Sequence, residues 1–278
     1  MRKLFVPTTF TFALMACSPG SGDVNVNTYG EDYIEVEIPA AATPDEEGFI
    51  DGFTVTYSKF LIALSSVHLH SADGVEGGEM TEQKIFDMHQ KGPTPVHQFR
   101  GLEAEHYDEV SIEVGPAKGA TAGNAAPTDV ALMNDGGYSV YATGNIMTGT
   151  TSVEFAWGFT TNTRYQECED AEGAAGVVVP NGGTAQIQFT VHGDHFFYDD
   201  LQSPDTKLRA RAIFAADADR DGEVTLAELG AVDLTTLPTG QYGTGGDGSV
   251  ENLQQFVTDL SRTLVHFQGE GECKVVKQ

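Results

Sequence analysis

Four acidic side chains near residue 220 have a spacing that is suited to binding a divalent cation. Asp217, Asp219 and Asp221 alternate directly before Gly222, and Glu228 ends the same stretch. A hard divalent cation takes about six to eight oxygen ligands, and carboxylates at alternate positions of a tight loop supply several of them from one side. Gly222 lets the backbone bend where a Cβ atom would be in the way. The spacing therefore predicts a cation site within residues 217–228.

Residues 217–228 resemble the calcium-binding loop of the EF-hand family over its whole length. The resemblance implies calcium ligands at Asp217, Asp219, Asp221, Glu223, Thr225 and Glu228, with Glu223 acting through its carbonyl oxygen and Thr225 through a water molecule. Stretch 243–254 lacks most of these acids, so we expect no second ion. A lone site of this type binds calcium with a Kd of about 10⁻⁴ to 10⁻³ M, which suits a structural role. The alternative is a solvated acidic turn before a capped helix, because Thr225 and Glu228 also fit a capping box.

Histidines form a second candidate site. His192 and His195 lie beside acidic and aromatic residues at the end of a predicted strand, and His68 and His70 are two residues apart on another. Alternate residues of a strand share one face, and histidine with carboxylate suits copper or zinc. A copper or zinc site that joins some of these histidines is thus one interpretation. The other, which the sequence alone favours, is that they cap strands and satisfy hydrogen bonds of loops.

The layout of the chain also resembles that of periplasmic copper-binding proteins associated with methanobactin uptake. The shared features are a secreted, β-rich chain, paired histidines and a single tryptophan, Trp157, in the stretch VEFAWGF. This resemblance implies a copper ligand set built from histidines. It assigns no individual ligand, because it rests on layout and not on a continuous motif.

The elements that must position these residues are predicted to be mainly strands. Alternation of apolar and polar residues recurs between clusters of Gly, Pro and Asn, at 33–38, 53–57, 60–70, 107–114, 138–143, 151–159 and 184–192. This pattern predicts an antiparallel β-sandwich over 32–202. Helix signals at 205–216 and 250–267 flank the acidic loop, so 203–278 is predicted to be an EF-hand helix-loop-helix with a C-terminal helix, packed on the sandwich.

The N-terminus predicts export and lipid attachment. Residues 1–16 combine a basic start with an apolar run that is too short to span a bilayer, which is typical of a signal peptide. The following Leu14-Met15-Ala16-Cys17 resembles the lipobox of bacterial lipoproteins, which implies lipidation at Cys17. Ser18 favours the outer membrane in that family, facing the periplasm or the cell surface. Residues 17–31 are predicted to be a flexible, lipidated tether.

The net charge of the chain disfavours one class of binding partner. A formal net charge of −26 disfavours binding to nucleic acid, because an acidic surface repels phosphates.

With Cys17 lipidated, Cys168 and Cys273 form an even pair in an oxidising compartment and predict a disulfide. The alternative is that both thiols bind a soft metal, which would need further ligands.

Signatures of enzymes are missing from the sequence. It contains no Gly-x-Ser-x-Gly, no His-Glu-x-x-His, no Walker loop and no Gly-x-Gly-x-x-Gly behind a strand. We therefore expect a non-enzymatic, lipid-anchored calcium-binding protein that acts as a binding or scaffold module for an envelope protein or glycan. The alternative function is periplasmic copper or zinc binding. The sequence does not indicate the oligomeric state.

Overall fold

The structure, a computed structural model, describes residues 20–43, 46–201, 203, 205–243 and 249–278. The predicted signal peptide, the lipobox and Cys17 lie outside these residues. Within them the protein is mainly β, as the alternation predicts. No helix in this part of the chain is long and apolar enough to cross a membrane.

The bounds of the elements follow in chain order. The strands are β1 (Ser21–Gly30), β2 (Thr54–His70), β3 (Glu76–Met80), β4 (Lys84–Asp87), β5 (Thr94–Glu103), β6 (His106–Tyr107), β7 (Glu109–Val114), β8 (Thr121–Ala122), β9 (Val140–Thr148), β10 (Thr151–Phe159), β11 (Thr163–Glu169), β12 (Val177–Val178), β13 (Thr184–Val191), β14 (Glu223–Val224), β15 (Val265–Phe267) and β16 (Glu272–Lys277). The helices are α1 (Asp32–Glu35), α2 (Pro127–Gly136), α3 (Arg211–Phe214), α4 (Leu226–Gly230) and α5 (Leu253–Leu260), with short 3-10 helices at Asp194–Phe197 and Leu234–Thr236.

Two sheets contain nearly all of these strands. The smaller sheet has the order β15-β13-β1-β5. The larger runs β14-β10-β9-β2-β7-β11-β16, with β3, β4 and β8 joined beside β2, and β6 pairs with β12 separately. Most neighbours are antiparallel, as predicted, but the pairs β1–β13, β4–β8 and β10–β14 are parallel.

Both sheets contribute side chains to one hydrophobic core. Val26 on β1 and Phe189 on β13 belong to the same buried cluster as Phe60 on β2 and Trp157 on β10. Each of these side chains is fully buried, because alternate residues of their strands face the same side of the sheet. The core therefore holds the ends of the two sheets in fixed relative positions.

Strand β1 corrects the prediction of a tether at 17–31. Residues 21–30 alternate between buried and exposed, with Val24 and Val26 fully buried, and they lie between β13 and β5. The sequence SGDVNVNTYG looks like a linker because it contains two glycines and because its outward positions carry Ser, Asp and Asn. Its inward positions carry Val24, Val26 and Thr28, which are enough to place it in the middle of a sheet.

The C-terminal region is part of both sheets, which corrects the predicted boundary at residue 203. Strand β15 pairs with β13, whereas β16 pairs with β11. Residues 203–278 are therefore not a unit packed on a completed sheet domain.

The helices on either side of the acidic loop are much shorter than the sequence predicts. Only Arg211–Phe214 of the predicted 205–216 is helical, because the backbone near Leu208 forms β-bridges with Phe49 and Tyr198. The second prediction, 250–267, contains α5, where Leu253, Phe256, Val257 and Leu260 form the expected buried stripe. Beyond it Val265–Phe267 is extended, since β-branched and aromatic residues there pair with β13.

The predicted disulfide between Cys168 and Cys273 is confirmed. It joins β11 to β16, whose backbones are also paired, and closes a sequence separation of 105 residues. Cross-linking residues so far apart in sequence restricts the unfolded chain and so stabilises the fold. The thiols are therefore not free to bind a metal.

Candidate metal centre

Three histidines from separate elements meet at one end of the smaller sheet. His192 directly follows β13, His195 lies in the 3-10 helix Asp194–Phe197, and His266 lies on β15. Pairing of β13 with β15 sets Thr190 opposite His266, and the His192 amide donates to the Leu264 carbonyl at 2.9 Å. The sheet register thereby places all three imidazoles side by side.

The three imidazoles are close enough to share one ion. One ligand atom from each of His192, His195 and His266 lies within 4.8 Å of the other two. Ring centroids are 4.1 Å apart for His192 and His266, 5.0 Å for His195 and His266, and 5.5 Å for His192 and His195. All three residues are at most 8% exposed. We refer to them below as the histidine trio.

Aromatic packing anchors the short helix that carries His195. Its neighbours Phe196 and Phe197 are fully buried in the core. Phe196 stacks on Phe159 with ring centroids 5.2 Å apart, and Phe197 meets Phe49 edge to face at 5.2 Å. Because these rings fix the helix, His195 has little freedom to leave the trio.

A hydroxyl group fixes the tautomer of His195. The hydroxyl of Thr263 donates its hydrogen to the Leu260 carbonyl at 2.9 Å, so it accepts a hydrogen bond from Nδ1–H of His195, also at 2.9 Å. The proton therefore lies on Nδ1, and Nε2 carries the lone pair. Metal-binding histidines are commonly oriented by such a bond from the other ring nitrogen.

The other two imidazoles carry buried nitrogens that need a partner. Nε2 of His192 and Nδ1 of His266 make no hydrogen bond within the described residues. Burial, reinforced by the neighbouring His266, lowers the pKa of both His192 and His195 to about 3. These two rings are therefore neutral at neutral pH, which is the state that binds a metal ion.

Two carboxylates extend the cluster on the far side of His192. Glu31, Asp194 and His192 form a second group with ligand atoms within 4.8 Å of one another. Glu31 Oε2 lies 3.3 Å from His192 Nδ1, and Oε1 accepts from the Gly193 amide at 2.9 Å. Burial and the adjacent Asp194 raise the pKa of Glu31 to about 9. We call these three residues the carboxylate group.

Separate clefts open onto the two sides of this cluster. One, of about 640 Å³, is lined by Glu31, His192 and Asp194 and by the acidic Glu47 and Glu270. The other, of about 410 Å³, is lined by His195 and His266 and borders Cys273. Both groups of ligands can therefore be reached by a small ion from solvent.

The structure does not bring His68 and His70 into this cluster. Their Nε2 atoms lie 3.0 and 3.6 Å from the Glu76 carboxylate on the neighbouring strand β3. Neither belongs to a three-ligand group among the residues that the structure describes. The part of the histidine prediction that joined them to His192 is therefore corrected.

Sequence reasoning missed His266, Glu31 and Asp194. His266 was assigned to a helix, although Val265-His266-Phe267 has the alternation of a short strand, and that was the available signal. Glu31 lay in the predicted tether. Asp194 lies between His192 and His195 in the sequence, but no motif there marks it as a ligand.

The acidic loop 217–228 forms a compact turn whose Val224 side chain is buried in the core. Oxygen atoms of Asp217, Asp219 and Glu228 lie within 4.8 Å of one another. Gly222 has a φ of 89°, and its amide donates to Asp217 Oδ2 at 3.2 Å. Oδ1 of Asp217 is buried and has no hydrogen-bond partner in the described structure.

The remaining ligands predicted for the loop are arranged differently. Asp221 accepts the Glu223 amide at 2.9 Å and is not part of the three-ligand group. Thr225 and Glu228 form a capping box at the start of α4. These hydrogen bonds hold the pKa of Glu228 below its usual value. The capped-helix interpretation and a cation site thus use the same carboxylate.

The loop is joined to the larger sheet at one point. Glu223–Val224 forms strand β14, which pairs with β10 and not with a second loop. The indole Nε1 of Trp157 donates to the Val224 carbonyl at 2.8 Å. Trp157 and Phe196 rings are 6.1 Å apart, so one buried aromatic cluster separates the loop from the histidine trio.

Comparisons of the chain with protein-family models, with curated proteins and with solved structures find no match.

Proposed function

We propose that this chain is a metal-binding protein of the bacterial cell envelope that holds copper or zinc with His192, His195 and His266. The observation that carries the proposal is the burial of three imidazoles whose ligand atoms lie within 4.8 Å of one another. Buried polar nitrogens without partners are unfavourable, and a metal ion would satisfy them. The earlier resemblance to copper-binding proteins supports the same chemistry.

Three nitrogen ligands leave a coordination position open. Zinc with three protein ligands takes water or another small ligand at the fourth position, and imidazole ligands also suit copper. The two sheets, arranged as a β-sandwich around the shared core, would hold the ligands rigidly. Such a frame suits tight and selective retention of the ion.

The test is a chelator-competition titration of the full chain with Zn²⁺ and with Cu²⁺. We expect His266→Asn to lower the zinc affinity at least about 100-fold, because a direct ligand matters more than an outer-shell partner, whose loss costs about 10- to 100-fold. His68→Asn is the matched control and should bind like the wild type. An unchanged affinity in His266→Asn, with a wild-type melting temperature, contradicts the proposal.

We also propose that the loop 217–228 binds one calcium ion in a structural role. The specific observation in its favour is the convergence of Asp217, Asp219 and Glu228 around the turn at Gly222, with a buried Oδ1 of Asp217 that lacks a partner among the described residues. A calcium ion would draw on these oxygens, with Asp221, the Glu223 carbonyl and Thr225 completing the set.

Calcium titration calorimetry on two glutamate variants tests this second proposal. Glu228→Gln removes a ligand and should abolish measurable binding at millimolar calcium. Glu223→Gln has the same change of charge in the same loop, but its side chain is not a ligand, so it should bind normally. Equal calcium binding by both variants would show that the loop is an acidic turn and no more.

We further propose that Cys17 carries a lipid and anchors the protein at the outer membrane, as a non-enzymatic module whose partner is an envelope protein or glycan. The lipobox residues 14–17 support this. Cys17→Ser should move the protein from the membrane fraction to the soluble fraction of the host cell. Membrane association that persists in this variant contradicts lipid attachment at Cys17.

A further inference from the structure

His192 belongs to two ligand groups at once. It is a member of the histidine trio, and it is also a member of the carboxylate group with Glu31 and Asp194. Its Nδ1 lies 3.3 Å from Glu31 Oε2, while its Nε2 is buried without a partner in the described part of the chain. The two nitrogens of an imidazole ring point in divergent directions. One ion cannot use both, but two ions can.

The carboxylate group has the features of a built site. Asp194 is 7% exposed, and its buried Oδ1 has no hydrogen-bond partner within the residues that the structure covers. The Gly193 amide holds Glu31 in place, and the Tyr57 hydroxyl donates to the Gly193 carbonyl at 2.5 Å, which fixes the turn. Two neighbouring carboxyl groups in such a position are costly to bury as two charges, so in the metal-free protein one of them holds a proton, and a cation would take the place of that proton.

We propose that Glu31, Asp194 and Nδ1 of His192 bind a second ion, a zinc ion, so that the His192 ring bridges two metal sites. The proposal rests on the proposed metal site of the trio, with which it shares His192. A neutral imidazole has one N–H, so His192 releases that proton to solvent when both of its nitrogens coordinate, and Glu31 likewise releases its carboxyl proton when it binds the ion. Zinc is suited to this mixed set because it accepts both carboxylate oxygen and imidazole nitrogen, with water as a fourth ligand.

The surroundings favour cation entry on the carboxylate side. The cleft of about 640 Å³ that reaches Glu31 and Asp194 is also lined by Glu46, Glu47 and Glu270, which outnumber the one cationic side chain in its described lining, Lys207. Like-charged walls of a cleft raise the local concentration of the opposite ion. The trio faces a different cleft, lined by His195 and His266. The two ions would therefore enter from different sides of the His192 ring.

Equilibrium dialysis of the full chain against zinc, with excess calcium present to keep zinc out of the loop 217–228, measures the number of ions. We expect two zinc ions per wild-type chain and one in the double variant Glu31→Gln, Asp194→Asn. The double variant His195→Asn, His266→Asn should also keep one, and His192→Ala should keep none. A matched control, Glu46→Gln with Glu47→Gln, neutralises the cleft wall and should keep two.

The failure of each proposal gives a different result. One zinc ion in the wild type that survives Glu31→Gln, Asp194→Asn overturns the bridge and leaves the trio intact. A wild type that binds neither zinc nor copper overturns both. The wild type loaded with two Cu²⁺ ions provides a test without any variant: magnetic coupling through an imidazolate should reduce the paramagnetic resonance signal, whereas a full, uncoupled signal from both ions overturns the bridge.

Discussion

Two glutamates in this chain have pKa values that are shifted in opposite directions. Burial beside Asp194 raises the pKa of Glu31 to about 9, whereas hydrogen bonds from Thr225 lower the pKa of the partly exposed Glu228. Both residues are candidate metal ligands. The difference shows that the cluster at His192 depends on the core around it, while the loop depends on its own hydrogen bonds.

The loop and the cluster also differ in how far apart in the sequence their candidate ligands lie. The loop draws its ligands from residues 217–228, and its geometry is set by Gly222 and by the capping box. The cluster draws on β1, β13, β15 and the 3-10 helix Asp194–Phe197, which lie far apart in sequence. Changes to the sheets should therefore alter the cluster and leave the loop unaffected, and the predictions below use that difference.

The largest effect is expected from removing the disulfide in Cys168→Ser, Cys273→Ser. Its sequence separation of 105 residues corresponds to a stabilisation of about 5 kcal/mol, or roughly 10 °C in melting temperature for a chain of this size. Because Cys273 borders the cleft of His266, zinc affinity should fall as well. Calcium affinity of the loop should be unchanged. Thermal melts and both titrations check this, and a fall in calcium affinity of the same size would contradict the separation of the two regions.

The same difference between the loop and the cluster explains which features could be predicted from the sequence. The acidic loop, the strand alternation and the cysteine pair are local or compositional signals, and from them the sequence predicts the grouping of Asp217, Asp219 and Glu228, the β class and the disulfide. The cluster depends on register: His266 meets His192 only because β15 pairs with β13, and Glu31 joins them only because β1 pairs with β13. No pattern within a short stretch encodes those pairings, so only His192 and His195 were found.

The next effect is the pH dependence of stability in the metal-free protein. Folding raises the pKa of Glu31 from 4.5 to about 9, so its contribution is full below pH 4.5 and is lost as the pH rises toward 9. Glu31→Gln should remove this loss, which we expect to be on the order of 4 kcal/mol between pH 5 and pH 8. Denaturant unfolding at several pH values measures it. A wild type and a variant with parallel profiles over this range would disprove the burial of a protonated Glu31.

The histidines act in the opposite direction at acid pH. Folding lowers the pKa of His192 and His195 from 6.5 to about 3, so their contribution is present above pH 6.5 and is lost as the pH falls toward 3. The loss should persist in Glu31→Gln and should shrink in His195→Asn. Glu228, whose pKa is lowered, also loses its contribution on acidification, below its usual value of 4.5. The steepest loss between pH 6.5 and 4.5 should therefore come from the cluster and not from the loop.

A smaller effect is expected from the cap of α4. Thr225→Ala removes the hydroxyl that accepts from the Glu228 amide at 3.2 Å, and loss of such a cap costs about 1 kcal/mol. Because Glu228 then loses an orienting contact, calcium affinity should fall a few-fold, while zinc affinity stays constant. Calorimetry with each ion separates these outcomes. A change in zinc affinity equal to the change in calcium affinity would mean that the two regions are coupled.

The smallest effect is spectroscopic and concerns a hydrogen bond that joins the loop to the larger sheet. Trp157, the single tryptophan of the chain, donates to the Val224 carbonyl of the loop at 2.8 Å. Calcium binding should shift the Trp157 emission only slightly, because this hydrogen bond already holds the loop against β10 before an ion binds. The shift should disappear in Glu228→Gln and persist in Glu223→Gln. An identical shift in both variants would show that calcium acts on Trp157 from another site on this acidic surface.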